Sequence, residues 1–222
     1  MRCLWLLGMV CSFAAVAEPT EKARWHRFFS EPALSAVEQQ YGQPARVRVS
    51  ELYQWLQQEL AQAHSVPVQL DRVNRYLNQL QFVADSEHWQ QADYWATPVE
   101  MVATGGGDCE DFTIAKYFIL RILGVPSEQL RLMYVKAVEL NQAHMVLLYL
   151  SSPDAMPLVL DNLQNEIKTG AERADLVPVY SFNAEGLWRA RAFDQGVLLK
   201  SGDNGVDLWG DLLQRMNREE QG

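Results

Sequence analysis

Residues 105–126 read GGGDCEDFTIAKYFILRILGVP. Three glycines end in the run Asp108-Cys109-Glu110-Asp111. Phe112, Ile114, Ala115, Phe118, Ile119 and Ile122 then recur with helical spacing until Gly124 and Pro126 stop the pattern. The reading is a helix with a broad apolar face, central to the domain, with Cys109 in its first turn. Unpaired backbone N–H groups and the positive end of the helix dipole lower a thiol's pKa there. Gly105, Gly106 and Gly107, lacking Cβ, are expected to let a substrate backbone approach the sulfur.

Upstream the chain reads as helical. Ser50 is expected to cap a helix carrying Leu52, Trp55, Leu56 and Leu60. A second helix begins near Leu70 and shows Val73, Tyr76, Leu77 and Leu80 on one side. Pro67 and the polar stretch 85–93 bracket it, and a short helix over 99–103 precedes the glycines. Downstream the pattern changes to strands over 130–138, 143–150 and 157–161, with others at 176–182 and 187–192 and a closing helix over 207–216. Helices followed by an antiparallel meander define an α+β domain.

Met1 to Ala17 reads as a secretory leader. Arg2 supplies the positive end, residues 3–16 the short apolar stretch, and Ala15-Val16-Ala17 the cleavage site before Glu18. Val10 before Cys11 argues against lipidation. The expectation is a cleaved leader over 1–17 and one domain over 18–222. Of three cysteines only Cys109 survives cleavage, so no intramolecular disulfide is available in an oxidising compartment. The formal charge of −9 becomes −10 once Arg2 leaves, a balance that disfavours nucleic acid and anionic lipid and accommodates a cation or a basic protein.

A thiol enzyme needs an imidazole to take the thiol proton and a carboxylate to orient that imidazole. His144 interrupts an otherwise apolar strand, and Asp161 ends the run Leu158-Val159-Leu160. Taken singly, His144 also reads as a core imidazole and Asp161 as a turn initiator. His26, His64 and His88 precede Cys109 in polar or helical settings and read as surface residues. Asp108, Glu110 and Asp111 would raise the thiol pKa by like-charge repulsion. Either they cap the helix, or a bound cation cancels them; oxygen donors outside the cytoplasm point to Ca²⁺. An oxyanion donor is available in the Cys109 backbone N–H, with the Trp95 indole or the Tyr94 phenol as a second, unless these rings only pack beside the helix.

The segment Asp93-Tyr94-Trp95-Ala96-Thr97-Pro98, the glycine turn into Asp108-Cys109-Glu110-Asp111, and His144 and Asp161 at intervals of 35 and 17 residues resemble the bacterial transglutaminase-like cysteine proteinases of the LapG type. The resemblance spans nearly all the mature chain. It implies a papain/transglutaminase-like fold with the cysteine helix packed on an antiparallel sheet. Cys109, His144 and Asp161 would be nucleophile, base and orienting acid, and Asp108, Glu110 and Asp111 would hold calcium. It further implies a periplasmic endopeptidase that cuts a large surface adhesin near its N-terminus at a di-alanine site, dispersing biofilm. Such an enzyme is restrained by a LapD-type inner-membrane receptor that senses cyclic di-GMP. Two alternatives remain open: acyl transfer to an amine by a transglutaminase or amidase on the same residues, and a non-catalytic, metal-stabilised binding module.

Overall fold

The computed structural model describes residues 24–190, 192–193, 196–202 and 204–221. The expected leader lies outside the described residues. Among those described, no helix is long and apolar enough to cross a membrane.

After a 3-10 turn over Trp25–Phe29, helix α1 spans Glu31–Tyr41 and α2 spans Gln43–Gln62. Ser50 does not cap α2. It lies inside it, and its Oγ donates to the Arg46 carbonyl at 2.8 Å. The helix starts earlier because Pro44 suits a first turn and because the buried stripe Ala45, Val49, Leu52, Leu56 extends back past Ser50. Helix α3 spans Val66–Leu77, so Pro67 opens the helix rather than bounding it. Trp25 and Phe29 are buried against Tyr53 of α2, which ties the first described residues to the helical layer.

Strand β1 (Gln81–Phe82) precedes the short helix α4 (Asp85–His88), and α5 (Pro98–Thr104) precedes β2 (Gly106–Gly107). β1 and β2 pair in parallel, Gln81 with Gly106 and Phe82 with Gly107. Helix α6 spans Cys109–Ile122, the central helix expected from its apolar face.

Seven strands follow: β3 (Leu130–Ala137), β4 (Gln142–Tyr149), β5 (Leu158–Leu160), β6 (Lys168–Thr169), β7 (Leu176–Asn183), β8 (Gly186–Arg189) and β9 (Val197–Ser201). Helix α7 closes the chain over Asp207–Gln221, longer than its apolar pattern implied. The sheet order is β6-β5-β4-β3-β7-β8-β9, with every neighbouring pair antiparallel. This is the expected α+β architecture.

Alternation along β4 sorts its side chains between two apolar clusters. Met145, Leu147 and Tyr149 join Phe112, Ile119 and the helices. Val146 and Leu148 join Val159, Leu176 and Phe193 on the other face. Both faces are covered from His144 onward, and the His144 imidazole is buried.

Candidate active site

The turn before Cys109 is shaped by the chain's own contacts. Gly105 has φ 84°, the left-handed conformation that ends α5 without a Cβ penalty. A Cβ on Gly106 would stand 2.3 Å from the Gln81 carbonyl oxygen, and one on Gly107 would stand 2.3 Å from Asp111 Oδ2. These glycines admit β1 and the Asp111 carboxylate, which corrects the expectation that they make room for a substrate.

Asp108 and Asp111 cap α6. Asp108 Oδ1 accepts from the Glu110 N–H at 3.2 Å, and Asp111 Oδ2 accepts from the Asp108 N–H at 3.2 Å. Asp111 Oδ1 also accepts from the Ala96 N–H at 2.7 Å, pinning the Trp95–Thr97 segment beside the first turn.

Strand β5 pairs with β4 only over Leu147–Tyr149. Ahead of that span the Met145 peptide is engaged by α6: Thr113 Oγ1 donates to its carbonyl at 3.1 Å, and the Met145 backbone favours ionisation of the Cys109 thiol. The first turns of α6 therefore lie against the strand that carries His144. The His144 and Asp161 side chains are both buried, with Nε2 2.8 Å from Oδ1. Donation from Nε2 to the carboxylate leaves Nδ1 as the imidazole's free lone pair. Burial opposes ionisation of Asp161, but hydrogen bonds from His144, the Leu163 N–H and Arg173 hold its carboxyl down at about 2.

Arg173 and Lys116 were not evident in the sequence. Arg173 is buried, and Nη2 donates to Asp161 Oδ2 at 2.7 Å. Lys116, also buried on α6, has its amine lowered to about 7 by desolvation, against the opposing charge of Asp161. Asn78 Nδ2 fixes the Asp161 carbonyl at 2.8 Å. These residues are far apart in sequence and carry no spacing signal.

The acidic group is larger than the sequence run. Ligand atoms of Asp85, Asp108 and Asp111 lie within 4.8 Å of one another. Asp85, from α4, is brought in by the β1–β2 ladder. Its Oδ2 accepts from the Tyr94 N–H at 2.5 Å, while Oδ1 is buried without a hydrogen-bond partner among the described residues. Burial first, then the neighbouring carboxylates, pushes Asp108 up to about 9. Burial also lifts Asp111 to about 8. An orphaned carboxylate oxygen among mutually repelling oxygen donors fits a hard divalent cation such as Ca²⁺, with Asp85, Asp108 and Asp111 as holders. Glu110 is turned to the sulfur: Cys109 Sγ donates to its Oε2 at 2.6 Å. The Cys109 pKa is raised, first by burial and then by the Glu110 and Asp108 charges.

Trp95 is buried and stacked on Phe182 with centroids 5.7 Å apart. Its indole favours ionisation of Asp93, yet Nε1 forms no hydrogen bond of ordinary geometry. Tyr94 is committed elsewhere, its phenol donating to Glu100 Oε1 and accepting from Arg215, each at 2.9 Å. Arg215 also bonds the Trp95 carbonyl and Glu100. Tyr134 and Tyr180, cross-strand partners with rings 4.7 Å apart, feel the Glu110 charge; that of the thiol also reaches Tyr134. His26 is exposed, whereas His64 and His88 are partly buried on the helical layer, His64 lying 3.6 Å from Glu59. An apolar cavity of about 280 Å³ lies between the Trp25–Phe29 turn, α2, α6 and α7, and includes none of these site residues.

A thiol at the N-terminus of a helix packed on an antiparallel sheet, with a buried histidine–aspartate pair carried by that sheet, points to the thiol hydrolase class of α+β proteins. Residues 49–179 match the family model described as bacterial transglutaminase-like cysteine proteinase, BTLCP. Structures of Legionella pneumophila LapG are also similar. The EGTA-treated form is 40% identical with a TM-score of 0.69, covering 84% of this chain and 96% of that one. The calcium-bound form is 39% identical with a TM-score of 0.67, covering 83% and 98%. Among curated proteins nothing matches the chain. The chain belongs to the bacterial transglutaminase-like cysteine proteinases, and is a cysteine proteinase of LapG-like fold.

Proposed function

We propose that this proteinase is a calcium-dependent endopeptidase acting through Cys109, His144 and Asp161. The observation that carries the reading is the buried 2.8 Å contact from His144 Nε2 to Asp161, on the strand against which the Cys109 helix packs. His144 Nδ1 takes the proton from Cys109 Sγ, and the thiolate attacks the scissile carbonyl. The Cys109 backbone N–H and the Trp95 indole N–H, which forms no hydrogen bond of ordinary geometry among the described residues, stabilise the oxyanion. The imidazolium then protonates the leaving amine, and His144 activates water to hydrolyse the thioester. Asp161 remains a carboxylate throughout, orienting the ring.

Asp108 and Asp111, joined by Asp85, hold the calcium, with Glu110 completing the acidic turn next to the sulfur. The ion supplies positive charge that offsets these carboxylates and favours the thiolate. Glu110 and Asp108, which otherwise raise the thiol pKa, are the residues through which that dependence acts. LapG has been described in calcium-bound and EGTA-treated forms, which supports the same ion here.

The biological reading follows the family resemblance. A leader over 1–17 delivers one protease domain, 18–222, to the periplasm. There it cuts a large surface adhesin near its N-terminus and releases it, restrained by a LapD-type cyclic di-GMP receptor. The test is cleavage of a quenched peptide spanning an Ala-Ala bond, in calcium and in excess EGTA, read by product mass. Hydrolysis that depends on both calcium and Cys109 is expected. An amine adduct in place of a free acid would assign acyl transfer instead, and cleavage by Cys109→Ala would remove the thiol mechanism.

A further inference from the structure

Asp161 is held more tightly than an orienting carboxylate needs for one imidazole. Oδ1 accepts from His144 Nε2 at 2.8 Å and from the Leu163 N–H at 3.0 Å. Oδ2 accepts from Arg173 Nη2 at 2.7 Å. The same guanidinium reaches a second carboxylate: Nε donates to Asp175 Oδ1 at 2.9 Å, and Nη2 to Asp175 Oδ2 at 2.8 Å. Arg173 is only 3% exposed, whereas the Asp175 side chain is 40% exposed. A link to Asp175 alone could be made at the surface, so burying the guanidinium beside Asp161 calls for another reason.

Its backbone is equally fixed. The 3-10 turn over Gly170–Glu172 delivers Arg173, whose N–H donates to the Gly170 carbonyl at 3.2 Å and whose carbonyl accepts from the Leu176 N–H at 3.1 Å. Gly170 is pressed against Phe193, where a Cβ would stand 2.3 Å from the Phe193 Cβ. The Gly170 N–H is bonded to the Pro157 carbonyl at 2.8 Å, just ahead of β5. Turn and strand are therefore tied together beside the aspartate.

We propose that Arg173 is a positioning residue of the proteolytic site, acting through Asp161 on the tautomer and orientation of His144. This rests on the Cys109-His144-Asp161 reading above. With Oδ2 occupied by a permanent cation, the carboxylate cannot flip or accept a proton on that side, so Oδ1 is committed to His144. The imidazole is kept as the Nε2–H tautomer with Nδ1 open. When Cys109 passes its proton to Nδ1, the imidazolium keeps its Nε2 proton, and the S–H bond broken is balanced by the N–H bond formed. Lys116 on α6 places a buried amine near Asp161 without a hydrogen bond to it among those described.

The test uses calcium-loaded enzyme, the Ala-Ala peptide, and rates normalised to titratable thiol. Arg173→Met is expected to lower kcat about 10- to 100-fold with KM within about threefold, the range seen when outer partners of a functional histidine are removed. Arg173→Lys keeps the charge but not the fork, so it should fall between Arg173→Met and wild type, about 3- to 10-fold down. Asp175→Asn should stay within about threefold of wild type. In a Cys109→Ala background, ¹⁵N NMR should show His144 as the Nε2–H tautomer, and as a mixture after Arg173→Met.

Wild-type kcat in Arg173→Met or in Arg173→Lys overturns the proposal. So does a loss accounted for wholly by fewer titratable thiols. Asp161→Ala separates the two levels. If it is inactive while Arg173→Met is normal, only the role of Arg173 fails; if it is fully active, the Asp161 assignment fails with it.

Discussion

Replacing Asp85 by asparagine should give calcium-free and calcium-loaded protein different responses. Asparagine keeps an oxygen to accept the Tyr94 N–H, so α4 stays docked, but it removes one of the carboxylates crowded within 4.8 Å. In EGTA the variant should melt no lower than wild type, because a like charge beside Asp108 and Asp111 is gone. In calcium it should lose about half or more of the ion's stabilisation. At free calcium 100 times Kd, binding contributes about 2.7 kcal/mol. Losing a ligand that weakens affinity by about 10- to 100-fold reduces this to about 0.4–1.4 kcal/mol. At about 2–4 °C per kcal/mol for a chain of this length, the calcium-induced rise in Tm shrinks from about 5–11 °C to about 1–6 °C. Thermal unfolding in EGTA and at fixed free calcium, pH 7, reads both numbers. An undiminished calcium shift, or a large fall in the calcium-free Tm, would refute the placement of Asp85 in the site.

Gly106→Ala puts a methyl 2.3 Å from the Gln81 carbonyl oxygen, forcing β1 and β2 apart. A cost of about 1–3 kcal/mol in urea unfolding is expected, with a weakened calcium response because Asp85 rides on that ladder. Arg215→Ala removes the counter-charge of Glu100, which keeps the Tyr94 phenol and the Thr97 N–H, and frees the Trp95 carbonyl, so about 1.5–3 kcal/mol of stability should be lost, measurable as a drop in urea midpoint without change in KM. Asp161 titrates at about 2 when folded, below its ordinary value of 3.8. Its contribution to stability is therefore complete above pH 4 and lost as the pH falls toward 2. Wild type should lose urea midpoint across that window, and Asp161→Asn should lose less; equal slopes would contradict the interaction.

Much of the architecture was legible because it rests on periodicity. The apolar spacing from Phe112 to Ile122 and the strand patterns of 130–138 and 143–150 found α6, β3 and β4. Helix starts were read less well: Ser50 resembled a cap and Pro67 a boundary, whereas buried Ala45 and Val49 and the tolerance of helix first turns for proline moved both starts upstream. The glycines were correctly seen as a close-approach device, but the partner is Gln81 and Asp111.

Cys109, His144 and Asp161 stand out in the chain as candidates because each breaks a local pattern: a solitary thiol at a helix start, a polar residue in an apolar strand, an acid ending one. Residue type and local periodicity also fixed the α+β class, since neighbouring side chains alone decide which face of an element is apolar. Asp85, Arg173 and Lys116 break no pattern, being a polar residue in a polar stretch, an arginine in a turn and a lysine in a helix. Only folding gives them meaning, by the β1–β2 ladder for Asp85, the Gly170 turn for Arg173, and the docking of α6 on β4 for Lys116. Electrostatic coupling depends on distance in space and on exclusion of water, and neither is a property of position along the chain.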